Sequence, residues 1–175
     1  MTTTYYPSGE WTGDTVAIVA TGPSLTPAVI DEIRALGCRV IVVNDACQLL
    51  PEADMLVALD GDWPQAWRDF PGLRVTGIED MELDALYVGH RFFSVRIHGD
   101  TIHIRNSGVE AVRIAGEMGA ARILLAGFDV TDRDGFPYDG VAAALAGVVR
   151  DLEARRVVVS RMGGDPGPDE PSETA

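Results

Sequence analysis

Six short apolar segments recur along this chain, and most are separated by stretches with helical periodicity. Four to six residues are too few for an ordinary helix, and the apolar positions are mostly consecutive, as in strands buried on both faces. The segments lie at residues 15–20, 39–43, 55–59, 73–76, 122–126 and 156–160. Apolar strands alternating with helices predict an α/β fold, a single domain with a mostly parallel sheet and helices on both faces.

Four other stretches predict helices, at residues 27–36, 64–69, 108–118 and 141–152. The first has clear boundaries, because Thr26 can cap it, Pro27 suits its first turn and Gly37 can end it. The third follows Ser107, whose spacing to Glu110 is that of a capping box. We expect Glu110 on the solvent side of this helix, opposite an apolar face.

One region departs from this alternation and predicts an insertion. Apolar and polar residues alternate over residues 93–97 and again over 101–104, and Gly99-Asp100 separates the two runs. This pattern predicts a β-hairpin insertion near 87–105. The histidines of the region lack the helical i, i+4 spacing of many zinc sites, so zinc is not expected. They are His90, His98 and His103.

Two terminal segments flank the predicted domain, residues 15–161. Residues 1–14 predict an irregular lead-in, and residues 162–175, rich in Gly, Pro and acidic residues, predict a disordered acidic tail. No apolar run is long enough to span a membrane, and no signal-peptide pattern precedes the domain. We therefore expect a cytoplasmic protein with no membrane contact, and the oligomeric state is left open.

Charge and composition exclude several classes of ligand chemistry. The formal net charge of −13 opposes binding to duplex nucleic acid, and all 14 basic residues are arginine. Without lysine, the chain can form neither a Walker-type phosphate loop nor a Schiff base with pyridoxal phosphate. Residues 21–26 contain one glycine where the dinucleotide fingerprint needs three, so NAD is not expected.

Polar and small residues follow several predicted strands and the start of the third helix. In open α/β sheets, ligands bind outside the carboxyl ends of the strands, where these residues would meet. Each one alone also suits a turn or a helix cap, but unrelated turns need not share one edge of a sheet. The candidate nucleotide-binding residues are Gly22, Pro23, Ser24 and Leu25, then Asn44 and Asp45, then Gly61 and Asp62, and finally Arg105, Asn106, Ser107 and Gly108.

Acidic side chains at the same edge are candidates for metal binding and catalysis. Asp60 and Asp62 follow the third strand and could ligate a magnesium ion that bridges phosphates. Asp129 follows the fifth strand and is, with Asp60, a candidate catalytic carboxylate. Trp63 and Trp67 come next after Asp62, and they could either pack over the sheet or stack on a base or sugar.

Two segments resemble a Rossmann-like superfamily that includes bacterial sialyltransferases, hydroxymethylpterin pyrophosphokinase-like proteins, motility accessory factors and many small phage proteins. The first is the Gly-Pro-Ser-Leu loop at residues 22–25 after the first strand, followed by Asn44 after the second. The other is "NSGVEAVRIAGEMGAARILLAGFD", residues 106–129. The resemblance covers roughly Thr15 to Asp129 and implies a single Rossmann-like domain, of the kind found in phage members.

The resemblance also implies a ligand class. In the sialyltransferases the first loop and the Asn after the second strand hold a cytidine nucleotide, which implies a nucleotide or nucleotide-sugar ligand here. In the pterin enzymes a diphosphate moves from ATP with magnesium, which would implicate Asp60 or Asp129. Residues 130–140, "VTDRDGFPYDG", lack the histidines of many phage relatives, and the sialyltransferase general base has no counterpart. The resemblance therefore supports binding more strongly than catalysis.

Three functions remain open on the sequence alone. The first is a transferase, glycosyltransferase-like or pyrophosphokinase-like, that uses a nucleotide-activated donor. Another is a non-catalytic module that sequesters or senses a nucleotide. The third is a structural protein that retains only the fold, since fold does not determine function.

Overall fold

An all-parallel sheet forms the centre of the molecule in the computed structural model, which describes residues 3–4, 7–60, 62–77, 85–87, 93–97, 100–104, 106–129 and 138–163. Its strands are β1 (Thr3–Thr4), β2 (Thr15–Val19), β3 (Arg39–Val43), β4 (Met55–Ala58), β5 (Leu73–Thr76), β6 (Leu86–Tyr87), β9 (Arg122–Ala126) and β10 (Val158–Met162). They lie in the order β1-β6-β5-β4-β3-β2-β9-β10, and every neighbouring pair is parallel. The predicted α/β fold with a mostly parallel sheet is confirmed.

Helices cover both faces of this sheet, as the continuous apolar strands require. They are α1 (Pro27–Leu36), α2 (Gln65–Arg68), α3 (Ser107–Glu117) and α4 (Tyr138–Ala154). Buried residues of α1 and α2, such as Ile33 and Trp67, form one core with one side of the strands. Buried residues of α3 and α4, such as Val112 and Leu145, form a second core on the other side. From β2, the strand order continues through β3, β4, β5 and β6 in one direction and through β9 and β10 in the other.

A separate antiparallel pair of strands occupies the region of the predicted hairpin. These strands are β7 (Phe93–Ile97) and β8 (Asp100–Ile104), with Phe93 opposite Ile104 and Ile97 opposite Asp100. The two residues between them, and most of 78–92, lie outside the described ranges. The insertion near 87–105 as a whole stays a prediction.

The sequence placed the first helix well and the third less well. Helix α1 has the predicted bounds, with Thr26 accepting a hydrogen bond from the Val29 N–H and Gly37 in the left-handed conformation. Helix α3 begins one residue earlier than predicted, because Asn106 rather than Ser107 is its N-cap. The expected solvent position of Glu110 is also wrong, since this residue is 1% exposed.

The chain ends differ in part from the expected lead-in and tail. Thr3–Thr4 form a short strand. Trp11 is buried, and its backbone N–H donates a hydrogen bond to the Met118 carbonyl at 2.8 Å. Strand β10 extends to Met162. The predicted disordered tail otherwise lies outside the described residues, apart from Gly163. In the part of the chain that the structure describes, no helix has the length and apolar character needed to cross a membrane.

Candidate functional site

The strand order places the topological switch point of the sheet between the carboxyl ends of β2 and β9. The chain leaves β2 toward α1 on one face, whereas the helix that follows β9, α4, lies on the other face. Adjacent strands whose connections diverge in this way form the usual ligand crevice of open α/β sheets. We call the loops around this point the carboxyl-edge crevice. It is bounded by Gly22–Leu25, Asn44, the start of α3 and Gly127–Asp129.

The loop after β2 is fastened to the loop after β9 by several hydrogen bonds. The Gly22 N–H donates to the Gly127 carbonyl at 2.9 Å. Both the backbone N–H and the hydroxyl of Ser24 donate to Oδ2 of Asp129, each at 2.7 Å. Two predicted site residues, Ser24 and Asp129, therefore meet across the crevice, although 105 positions separate them in the sequence.

This contact explains why a glycine occupies position 22. A Cβ built on Gly22 would lie 2.4 Å from Oδ2 of Asp129 and 2.4 Å from the Gly127 carbonyl oxygen. No side chain larger than hydrogen fits there without moving the backbone of one loop. The glycine of the Gly-Pro-Ser-Leu segment thus serves the close approach of the two loops.

The electrostatics of the contact favour an ionised Asp129. Partial burial of the carboxyl raises its pKa, but the two bonds from Ser24 and the positive charge of Arg161 lower it by more. The net effect holds the pKa of Asp129 below its ordinary value. A carboxylate therefore occupies the Ser24 donors that a phosphate would otherwise use.

Asn44 has the most unusual environment at this edge. It follows β3 directly and has a φ of 51°, a conformation that asparagine adopts more readily than most residues. Its Oδ1 is buried and has no hydrogen-bond partner within the described residues. Buried acceptors are nearly always paired, with protein or with a bound group, so this atom is an exception that makes Asn44 a candidate contact for a ligand.

Asp45, by contrast, has a structural role. Its Oδ1 accepts a hydrogen bond from Nε1 of Trp67 at 2.9 Å and a longer one from Gln48 at 3.3 Å. Trp67 is buried and packs edge-on against Trp63, with ring centroids 5.9 Å apart. The two tryptophans therefore pack over the sheet, which was one of the two roles expected from the sequence.

The start of α3 lies at the same edge as Asn44. The Asn106 side chain caps the helix by accepting from the Val109 N–H at 3.0 Å, and the Ser107 hydroxyl accepts from the Leu59 N–H at 3.1 Å. The second bond ties the helix to the loop after β4. The N–H groups of Ser107 and Gly108 are not used by this cap, and they lie at the positive end of the helix.

Phe128 closes the space between α3 and β9. A Cβ on Gly108 would lie 3.1 Å from Cε1 of this ring, so the helix start and the Gly127–Asp129 loop are in close contact. The Phe128 carbonyl also accepts a hydrogen bond from Arg161 at 3.1 Å. Helix start, loop and last strand therefore form one connected wall of the crevice.

Of the remaining predicted site residues, those within the described ranges make none of the contacts given above. Asp60 and Asp62 are exposed, as is Pro23, and Leu25 is half-buried against the α1 face. Gly61 and Arg105 lie outside the described residues.

Magnesium is the cofactor that the pterin-enzyme resemblance implies. Its candidate ligands Asp60 and Asp62 are exposed, and Asp129 is engaged with Ser24. Within the described ranges, no three His, Cys, Asp or Glu side chains converge on one point. Magnesium is often held by one or two carboxylates together with ligand phosphates. A magnesium ion at this edge would therefore need oxygen atoms from the ligand, and it stays a prediction.

Two surface cavities formed by described residues lie away from the crevice. One, of about 500 Å³, is at the amino ends of β2 and β3, where Arg39 pairs with Asp54 at 2.8 Å and with Asp14 at 3.5 Å. The second, of about 260 Å³, lies between α4 and the strands β9 and β10. The charged groups of the first cavity therefore pair with one another.

Sequence reasoning missed two features of the site. It did not pair Ser24 with Asp129, because residues so distant in sequence give no local signal of contact. It also treated Trp63 as a packing or stacking residue, whereas its buried indole Nε1 has no partner in the described part of the chain. No protein-family model and no curated protein sequence matches this chain.

Proposed function

We propose that this protein binds a nucleotide or nucleotide sugar in the carboxyl-edge crevice. The observation that carries the proposal is Asn44, whose buried Oδ1 has no partner among the described residues and whose backbone is left-handed. An unpaired buried acceptor costs about 1–3 kcal/mol. Such groups are retained where a bound molecule supplies the missing hydrogen bond.

The chemistry of Asn44 defines what it can contact. An amide oxygen accepts hydrogen bonds, so the ligand must present a donor there. A ribose hydroxyl and the amino group of a nucleobase are both donors, whereas an ionised phosphate is not. We therefore assign the nucleoside part of the ligand to Asn44.

The phosphates of the ligand are assigned to the start of α3. The Ser107 and Gly108 N–H groups lie at the positive end of an 11-residue helix, where anions bind favourably. Ser24 is not assigned a phosphate, because its two donors already bind Asp129. In this proposal the Gly-Pro-Ser-Leu loop shapes the crevice and does not hold the phosphates itself.

The first test is binding to a panel of ligands. Isothermal titration and thermal shift with CMP, CDP, ATP, GTP and nucleotide sugars, with and without magnesium, should identify at least one ligand. At a hundredfold excess over Kd, a ligand stabilises by about 2.7 kcal/mol, which raises Tm by about 5 °C or more. Stabilisation by none of these compounds would contradict the proposal, and turnover of a donor would extend it to a transferase.

The second test locates the site with a matched pair of variants. Asn44→Gly removes the amide while suiting the positive φ, so the protein should stay folded and lose at least about tenfold in affinity. Arg156 also has a positive φ, 68°, but it precedes β10 at the opposite edge of the sheet. Arg156→Gly should leave the affinity unchanged. Equal affinities for both variants would remove Asn44 from the site.

A further inference from the structure

Trp63 carries a second buried polar atom that has no partner. The residue is 4% exposed, and its Nε1 lacks a hydrogen-bond acceptor within the residues that the structure describes. Its neighbour Trp67 shows the usual arrangement, since the Trp67 Nε1 donates to Asp45 at 2.9 Å. A buried indole N–H normally finds an acceptor, so the exception at Trp63 needs a physical reason.

A chain of contacts through Asp45 and Trp67 links the two residues that carry the unpaired atoms. Asn44 immediately follows β3 and precedes Asp45, which holds Trp67. Trp67 in turn packs edge-on against Trp63 at 5.9 Å between ring centroids. Strands β3 and β4 are neighbours in the sheet, and Asn44 and Trp63 lie in the segments that follow these two strands, so the buried acceptor and the buried donor, each unpaired among the described residues, follow adjacent strands.

We propose that Asn44 Oδ1 and Trp63 Nε1 together recognise one part of the ligand that both donates and accepts a hydrogen bond. This inference rests on the proposed function and names the chemistry of its site. A sugar hydroxyl provides both functions in one group, and the edge of a nucleobase provides them in adjacent groups. Trp63 is thereby a specificity-determining residue, and an ionised phosphate, which has no donor for Asn44, is excluded from this position.

The free protein should reveal this role in its stability. A buried N–H without an acceptor destabilises a fold, so deleting that N–H removes no hydrogen bond from the free protein. Trp63→Phe deletes the N–H but also removes part of a buried ring, and Trp67→Phe makes the same loss of ring volume, so the unliganded Trp63→Phe variant should lose less stability than Trp67→Phe. Trp67→Phe is the matched control, because it deletes a hydrogen bond that is made and should lower stability.

In ligand binding, by contrast, deleting the Trp63 N–H should remove a hydrogen bond and lower the affinity. With the panel compound that binds the wild type best, Trp63→Phe should weaken affinity by about tenfold, as expected for one buried hydrogen bond. The same titration with the 2′,3′-dideoxy form of that nucleotide separates the two sources. If a ribose hydroxyl is recognised, Trp63→Phe leaves the affinity for the dideoxy compound unchanged. If a base edge is recognised, the affinity for both compounds falls.

The outcomes distinguish this inference from the proposed function. If the wild type binds no panel compound, both the proposed function and the inference on Trp63 are contradicted. If it binds one and Trp63→Phe binds that compound equally well, only the role of Trp63 is overturned. A Trp63→Phe variant that loses as much stability as Trp67→Phe while binding normally shows that the Trp63 N–H already has a partner in the free protein, and it overturns the inference too.

Discussion

Ser24 and Asp129 form the contact that fixes the shape of the crevice. One carboxylate oxygen accepts from both the backbone and the hydroxyl of the serine, and bonds to an ionised acceptor are stronger than those between neutral groups. The pKa of Asp129 is held below its ordinary value because these bonds and Arg161 outweigh the effect of burial. The interaction should therefore depend on the charge of Asp129.

The sign of that dependence can be worked out from the pKa. A carboxyl whose pKa is lower in the folded chain stabilises the fold above its unfolded-state pKa and loses that effect as pH falls through the folded value. We predict that Ser24→Ala lowers the free energy of unfolding by about 1–2 kcal/mol near pH 7 and by less near pH 3. Urea denaturation at the two pH values measures this difference.

Asp129→Asn provides the companion variant. It removes the charge, so adding Ser24→Ala to it should cost less than adding Ser24→Ala to the wild type, and the cost should no longer change with pH. Additive losses at both pH values would show that the serine hydroxyl and the carboxylate do not act together.

Helix α3 illustrates how far a local pattern predicts an element. The apolar periodicity of residues 108–118 predicted the helix, but its N-cap is Asn106 because Ser107 turns its hydroxyl toward the Leu59 N–H. Glu110 likewise has capping-box spacing, yet it is buried and pairs with Arg113. A capping side chain and a long-range acceptor look alike in sequence, so only tertiary structure separates them.

Burial of the Glu110–Arg113 pair leads to a prediction for the whole helix. Glu110 is 1% exposed at its side chain and Arg113 is 15% exposed, and Glu117 also pairs with this arginine. Although burial lowers the pKa of Arg113, its bonds to both glutamates raise it by more, so the group stays charged. We predict that Glu110→Gln lowers the free energy of unfolding by about 3 kcal/mol, because removing one partner leaves a largely buried charge less well compensated.

An exposed pair supplies the control for this prediction. Glu52 pairs with Arg34 at 2.7 Å on the surface, where both side chains are about half exposed, at 53% and 46%. Glu52→Gln should cause a much smaller loss, because solvent screens this interaction. Equal losses for the two variants in urea denaturation would contradict the assigned difference in burial.

At the scale of the whole molecule, the sequence predicted the fold class but not the strand order. Continuous apolar runs indicated each of the six longer strands of the parallel sheet to within two residues at its ends, and they indicated helices on both faces. The order that places β9 beside β2 depends on long-range pairing, which no single segment encodes. The crevice arises from that order, so its position follows only from the assembled sheet.

The candidate site was predictable to a similar extent. Polar residues at strand ends pointed to the carboxyl edge, and the structure does bring Gly22, Ser24 and Asp129 together there. Which groups are already engaged was not predictable. Asp45 and Ser24 have internal partners, whereas the buried oxygen of Asn44 has none among the described residues, and this difference decides where a ligand is proposed to bind.

Backbone amide chemical shifts test the central claim most directly, because they report where on the sheet a ligand binds. Titrating uniformly ¹⁵N-labelled protein with the best-binding panel compound should shift the amides of Gly22, Asn44 and Gly108 at the carboxyl edge. The amides of Gly37 and Arg39, which line the cavity at the amino edge, should stay unchanged. Shifts confined to Gly37 and Arg39, or none at the carboxyl edge at saturating ligand, would contradict the account.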